Sequence, residues 1–324
     1  MSLHLAKKRS QVPIISSSSE LCTLLGCDGC IFEKIVSNPK LHYTYMTVPK
    51  RDNTTREIRP PNFFLKAVQR RLLKHFYRHL RMPPYLHGGL PKRSIVTHAQ
   101  MHVGQYMVAT FDIRDFYPCT ARDHIEPVLF EAGFRGQALS AVVSLVLLDD
   151  GLPQGAPTSG LLANLGFIPA DRLIMRLCRR HLLRYTRFVD DLAISGASDV
   201  QRWLGGIKQI VASFGFRLAE DKTRFYRKSE RQIVTGLVVN DKLRPTKEFI
   251  RELKRRIRYC LEVGADARAS IEGVSVGRLR QQLNGQVSHV RHVDRDLGEA
   301  FRRLLYGVEW ARKPAITTAY RQLA

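Results

Sequence analysis

Apolar and polar positions change period several times along this 324-residue chain, and each change marks an element. From Tyr43 to Ile58 the pattern reads as two strands around a turn. Tyr45, Thr47 and Pro49 lead in, Arg51-Asp52-Asn53-Thr54 has turn chemistry, and Arg56-Glu57-Ile58-Arg59 leads out. After Pro60-Pro61, apolar residues at 65, 68, 72, 73, 76 and 80 follow helical spacing until Pro83-Pro84. Ser16–Ser19 forms a polar run suited to a helix start. Tyr106–Ile113 is a nearly continuous apolar run, as expected of a strand buried on both faces. Helices are predicted over about 121–134, 137–148, 160–181 and 200–214, with a loop from Gly151 to Ser159. Tyr185–Gly196 reads as two short strands meeting at Asp190-Asp191, and Ile233–Asn240 as one more strand. From Lys247 onward the pattern is helical and basic. The fold class is therefore α+β with a helical C-terminal module, without internal repeat or long linker.

Charge adds a partner to this picture. There are 52 Lys plus Arg against 29 Asp plus Glu, a net charge of +23. Residues 50–93 alone hold twelve basic and two acidic side chains. Such an excess fits a polyanion, because neutralising phosphates releases counterions. Cys22, Cys27 and Cys30 stand at metal-like spacing, but no fourth ligand matches, so they read as free thiols in a reducing compartment. No apolar run spans a bilayer and the first residues are charged. A cytoplasmic protein without membrane contact is expected.

The chemistry lies in the carboxylates. Phe188-Val189-Asp190-Asp191 sets two acids side by side between apolar strands, where like charges repel. Taken alone, Asp-Asp is better read as a solvated turn. Asp112, however, ends the apolar run Phe111-Asp112-Ile113, where a lone carboxylate is costly. A strand-end Asp beside an Asp-Asp hairpin can gather three hard oxygen ligands for Mg²⁺. Two such ions about 4 Å apart suit in-line phosphoryl transfer.

Three segments now resemble palm motifs of reverse transcriptases, in order and at suitable spacing. They are Asp112-Ile113-Arg114-Asp115-Phe116-Tyr117, Leu152-Pro153-Gln154-Gly155-Ala156-Pro157-Thr158-Ser159 and Phe188-Val189-Asp190-Asp191. Gly215-Phe216 with Lys222 resembles the next palm motif, and Val234-Thr235-Gly236-Leu237 the following hairpin. His98-Ala99-Gln100-Met101-His102 resembles the Asn-Ala-x-x-His element of bacterial retron enzymes, with His98 in the Asn place. Val234-Thr235-Gly236 matches their second element. The catalytic turn departs from the usual Tyr-Ala-Asp-Asp at Phe188 and Val189.

This resemblance implies a right-hand polymerase. Residues 1–109 would form N-terminal helices and fingers, 110–240 a palm with fingers interleaved at about 120–170, and 241–324 a basic helical thumb. It implies two Mg²⁺ ions, replaceable by Mn²⁺, on Asp112, Asp190, Asp191 and the backbone carbonyl of Ile113. Lys50, Arg56, Gln154, Gly155 and Lys222 would bind the nucleotide, with Tyr117 as a gate against the ribose 2′-hydroxyl. Arg251, Lys254, Arg255 and Arg258, on one helical face, and His102 would bind nucleic acid. The implied partners are dNTPs, a structured noncoding RNA serving as template and primer, and its DNA product. Retron resemblance adds a branched RNA–DNA product, an effector protein, antiphage defence and host RNase H for RNA removal. The chain reads as too short for intron-type extensions or its own RNase H domain. Another defence or intron-related reverse transcriptase, a catalytically idle RNA scaffold controlling an effector, and an RNA-templated RNA polymerase remain open at this point.

Overall fold

A computed structural model describes residues 3, 5, 12–49, 55–197 and 199–310. Its centre is a four-stranded antiparallel sheet of β3 (Met107–Asp112), β4 (Arg184–Phe188), β5 (Asp191–Gly196) and β6 (Arg224–Arg227). The strand order is β4-β5-β3-β6. Both faces of β3 are covered, which explains its unbroken apolar run. Met107, Ala109 and Phe111 belong to the main core, together with Leu192 and Ile194 of β5. Val108 and Ala193 face the other way, toward Ala99, Val234, Leu237 and Val239.

Helices α5 (Arg122–Glu131), α6 (Gly136–Val146), α7 (Ser159–Gly166), α8 (Ile168–Arg180) and α9 (Leu204–Ser213) contribute the main core's helical side. The helix expected over 160–181 breaks at Phe167. Pro169 lies in the first turn of α8, where its missing N–H is harmless but cannot continue α7. Gly166 also lets α7 approach α5, since a Cβ there would lie 3.1 Å from that of His124.

The opposite face carries α4 (Ile95–Gln100) and a small sheet of β7 (Ile233–Val234), β8 (Leu237–Val238) and β9 (Arg244–Pro245). Residues 233–240, which periodicity reads as one strand, form the hairpin that the Val234-Thr235-Gly236-Leu237 resemblance implies. Thr235 (φ 44°) and Gly236 (φ 80°) both adopt the left-handed conformation of a two-residue hairpin turn. β6 was not legible in the sequence, because Arg224 and Arg227 mask the period of a half-exposed edge strand.

The N-terminal side begins with α1 (Ser18–Leu25), capped by Ser17 and Glu20, and α2 (Gly29–Ser37). An antiparallel hairpin follows, β1 (Met46–Pro49) with β2 (Thr55–Ile58); its expected turn lies outside the described residues. Helix α3 (Phe63–His79) is capped by Asn62 and buries Leu65, Val68, Leu72 and Phe76. The last helices, α10 (Lys247–Glu262), α11 (Ala265–Ile271), α12 (Val276–Val293) and α13 (Arg295–Tyr306), close over their own core of Leu253, Ile257, Leu279, Leu283, Phe301 and Leu305. This is the α+β right-hand polymerase fold. No described helix is long and apolar enough to cross a membrane. All six cysteines are free thiols, with Cys30 exposed.

Candidate active site

The strand register assembles the acidic centre. Asp112, the last residue of β3, stands opposite Asp191, the first of β5. Phe188 of β4 also pairs with Asp191, so Val189-Asp190 is the two-residue turn between β4 and β5. The peptide N–H of Ile113 donates to the carbonyl of Asp190 (3.0 Å), tying that turn to the end of β3. Val189 has φ 59°, a conformation that a β-branched residue rarely adopts.

Crowding shows in the electrostatics. Asp190 titrates above the usual carboxylate range, first because it is buried and then because of the charge of Asp112. Asp191 is pushed up to about 7 by burial, with the charges of Asp190 and Asp112 adding to it. Lys222 Nζ donates to Asp112 Oδ1 (3.0 Å). A divalent cation would relieve the same repulsion more completely, and hard carboxylate oxygens suit Mg²⁺ or Mn²⁺. No described residue donates a hydrogen bond to the Ile113 carbonyl. The donor set therefore fits a divalent ion. Among the described residues no three such groups already stand at ligand distances, so an ion would have to draw them together.

Around this centre lies a cleft of ≈ 670 Å³ whose walls include Arg56, Asp112, Ile113, Tyr117, Gln154, Asp190 and Lys222. Arg56 reaches it from β2. Gln154 and Gly155 are docked against that hairpin: the Arg59 N–H donates to the Gln154 carbonyl (2.7 Å). Gly155 has φ 103°, and a Cβ there would stand 2.7 Å from the Ile58 side chain. Phe116 is buried against Phe167 and Phe216, while Tyr117 is half-buried on the cleft wall. Burial and the nearby charge of Asp190 raise the Tyr117 hydroxyl above its usual range.

Some expected site residues that are described do not line the cleft. Lys50 lies outside the described residues. His102, expected to meet nucleic acid, is buried behind the sheet with both ring nitrogens engaged, to Ser195 Oγ (2.7 Å) and Thr186 Oγ1 (2.6 Å). Burial pushes that imidazole down to about 3. It is a structural strut and offers no surface to RNA. Arg251, Lys254, Arg255 and Arg258 are exposed along α10, but Arg255 is held by Glu252 at 2.7 and 2.8 Å. Arg256 in the same run is buried and paired with Glu272.

Sequence reasoning missed Arg187 and Asp171, which form a fully buried ion pair directly behind the Val189-Asp190 turn. The available signal was a charge inside an apolar strand, Tyr185-Thr186-Arg187-Phe188, and another within the apolar face of α8.

Comparison with known proteins agrees with this geometry. Residues 48–239 match the reverse transcriptase (RNA-dependent DNA polymerase) family, and the chain belongs to it. Within that family it is similar to retron reverse transcriptases. It is 31% identical to the Retron Mx162 reverse transcriptase of Myxococcus xanthus over 80% of this chain and 59% of that protein. It is 29% identical to the Retron Mx65 reverse transcriptase of the same organism, over 91% and 72% respectively. The Retron Ec86 reverse transcriptase of Escherichia coli shares 28% identity over 69% of this chain and 72% of its own length. A telomerase structure from Candida albicans with a telomeric RNA fragment aligns at a TM-score of 0.45 and 12% identity over 85% of this chain and 62% of that one, a likeness too loose to carry weight.

Proposed function

We propose that this chain is an RNA-directed DNA polymerase working on a structured noncoding RNA that serves as both template and primer. The observation that carries the reading is the placement of Asp112, Asp190 and Asp191 at one end of the sheet, within the segment that matches the family. When bound, two Mg²⁺ ions, or Mn²⁺ in their place, supply activation of the attacking hydroxyl and stabilisation of the leaving pyrophosphate. Asp112, Asp190, Asp191 and the Ile113 carbonyl would hold them.

The remaining roles follow from position and charge. Arg56 and Lys222 neutralise the triphosphate of an incoming dNTP, a role the family resemblance extends to Lys50. Gln154 lies along the template base, and Gly155 lets the fingers hairpin close over it. Tyr117 excludes a ribose 2′-hydroxyl by bulk. Arg251, Lys254 and Arg258 grip the RNA backbone.

Similarity to retron enzymes supports the finer reading. Synthesis starts at an internal guanosine 2′-hydroxyl and leaves a branched RNA–DNA, host RNase H trims the template, and an effector protein acts beside the complex in antiphage defence. Purified protein given Mg²⁺, dNTPs and a primed RNA template should make DNA. Asp190→Ala combined with Asp191→Ala should abolish synthesis and leave RNA binding near the wild-type level, because these residues hold metal and not backbone phosphate. Undiminished extension by the double variant overturns the reading. Sequencing the nucleic acid that copurifies with the protein identifies the template.

A further inference from the structure

The catalytic turn rests on a buried polar assembly that phosphoryl transfer itself does not use. The Arg187 side chain is fully buried, and all five of its N–H groups are satisfied. Nε and Nη2 donate to the two carboxylate oxygens of Asp171 at 2.9 and 2.7 Å. Nη2 also donates to the backbone carbonyl of Asn164 (2.9 Å), and Nη1 to its side-chain oxygen (2.8 Å). The fifth N–H, on Nη1, reaches forward to the carbonyl of Val189 (2.8 Å). Asn164 Nδ2 in turn donates to the carbonyl of Gly88 (2.9 Å). Gly88 lies directly beneath the turn: a Cβ there would stand 2.5 Å from Val189 Cγ2 and 2.6 Å from Val189 N.

A buried ion pair is a poor source of stability, since apolar side chains of similar size fill such a site as well or better. Its geometry is the informative part. Val189 is β-branched and left-handed, a strained conformation that persists only where its surroundings over-determine it. Ile113 fixes the turn from the β3 side through the Asp190 carbonyl, and Arg187 fixes the preceding carbonyl from behind. The two hydrogen bonds bracket the peptide that carries the Asp190 carboxylate.

We propose that Arg187, locked in place by Asp171 and Asn164, is a positioning residue that holds the Val189-Asp190 turn, for which Gly88 leaves room, in its left-handed form and thereby sets where Asp190 meets the divalent ions. The proposal rests on the polymerase reading above. A methyl group at residue 88 pushes on the turn while leaving the ion pair intact. Lysine at 187 keeps the charge facing Asp171 but lacks the planar fork that spans both Asn164 and Val189.

The test is Mn²⁺ binding by the full chain without nucleic acid, followed by electron paramagnetic resonance, beside thermal melting and primer–template affinity. Gly88→Ala and Arg187→Lys should each weaken Mn²⁺ binding about 10–100-fold, the range expected of a group that orients a metal ligand. Primer–template affinity should stay near the wild-type value. Val189→Gly, which accepts a positive φ without strain, should recover part of the Mn²⁺ affinity in the Arg187→Lys background. Folded Gly88→Ala protein with wild-type Mn²⁺ affinity overturns the proposal. So does Mn²⁺ binding in Arg187→Lys that Val189→Gly leaves unimproved, which would make Arg187 a core strut only. The polymerase reading fails separately: wild-type protein that binds Mn²⁺ and extends no primer removes it, while the variants' Mn²⁺ affinities still decide the role of Arg187.

Discussion

Two residues that depart from the family pattern touch each other. Phe188 stands where the catalytic turn usually has Tyr, and His98 where retron enzymes have Asn. Their ring centroids are 5.8 Å apart at 37°. His98 also meets Thr235 Oγ1 through Nδ1 (3.3 Å), so it joins the β7–β8 hairpin to the catalytic turn. Burial drives its imidazole down to about 2, which keeps the ring neutral and able to pack on Phe188. A phenol hydroxyl at 188 would alter that packing, and Asn at 98 would leave the Phe ring without its aromatic neighbour. His98→Asn and Phe188→Tyr should therefore be coupled, the double variant losing less stability than the sum of the singles by about 0.5–1.5 kcal/mol. A double-mutant cycle by urea unfolding measures this. Strict additivity would mean that the two departures are unrelated.

Among the elements, α10 separates its basic residues by role. Its buried face pins Arg256 to Glu272, and its outer face carries Arg251, Lys254, Arg255 and Arg258. Arg255 is already engaged with Glu252, whereas Arg251, Lys254 and Arg258 form no ion pair among the described residues. Folded RNA is recognised largely by shape and 2′-hydroxyl contacts, while an annealed primer–template is gripped mainly through phosphates. Replacing Arg251, Lys254 and Arg258 with Ala should cost synthesis on the RNA that copurifies with the protein at least about tenfold more than extension of a generic primer–template. Adding Arg255→Ala should change little further. Equal losses on both substrates would make α10 a nonspecific clamp. Lost affinity that is regained at low salt would point to the phosphate term alone.

On the scale of the whole molecule, the acidic centre trades stability for function. Asp191, raised to about 7, and Asp190, raised less far, bind protons in the folded chain that the unfolded chain releases at lower pH. Stability of the metal-free protein thus falls as pH climbs from the ordinary carboxylate range toward 7. A divalent ion competes with those protons and binds the folded state alone. The rise in melting temperature on adding Mg²⁺ should therefore grow between about pH 6 and pH 8. Asp191→Asn should raise the metal-free melting temperature by roughly 1–4 °C at pH 8 and shrink the Mg²⁺ effect, while synthesis is lost. Thermal melts in EDTA and in Mg²⁺ across that range measure both, and a pH-independent Mg²⁺ effect would contradict the assignment.

What the sequence by itself determined was local. Periodicity located the β1–β2 hairpin, α3, β3 and the C-terminal helices, because each carries its own hydrophobic repeat. Asp112, Asp190 and Asp191 were legible because carboxylates in apolar strands violate that repeat. It did not separate α7 from α8, because Pro169 suits the first turn of a helix and the apolar repeat runs on across the break. Periodicity alone merged residues 233–240 into one strand, since Val and Leu read alike on either side of a turn; only the Val234-Thr235-Gly236-Leu237 motif marked the hairpin. Tertiary structure alone decided that His102 is buried between Thr186 and Ser195, that Arg255 and Arg256 part company on α10, and that Arg187 stands behind the catalytic turn. The physical reason is common to all three. A polar side chain has the same letters whether it meets water, RNA or a buried partner, and only the fold supplies the partner.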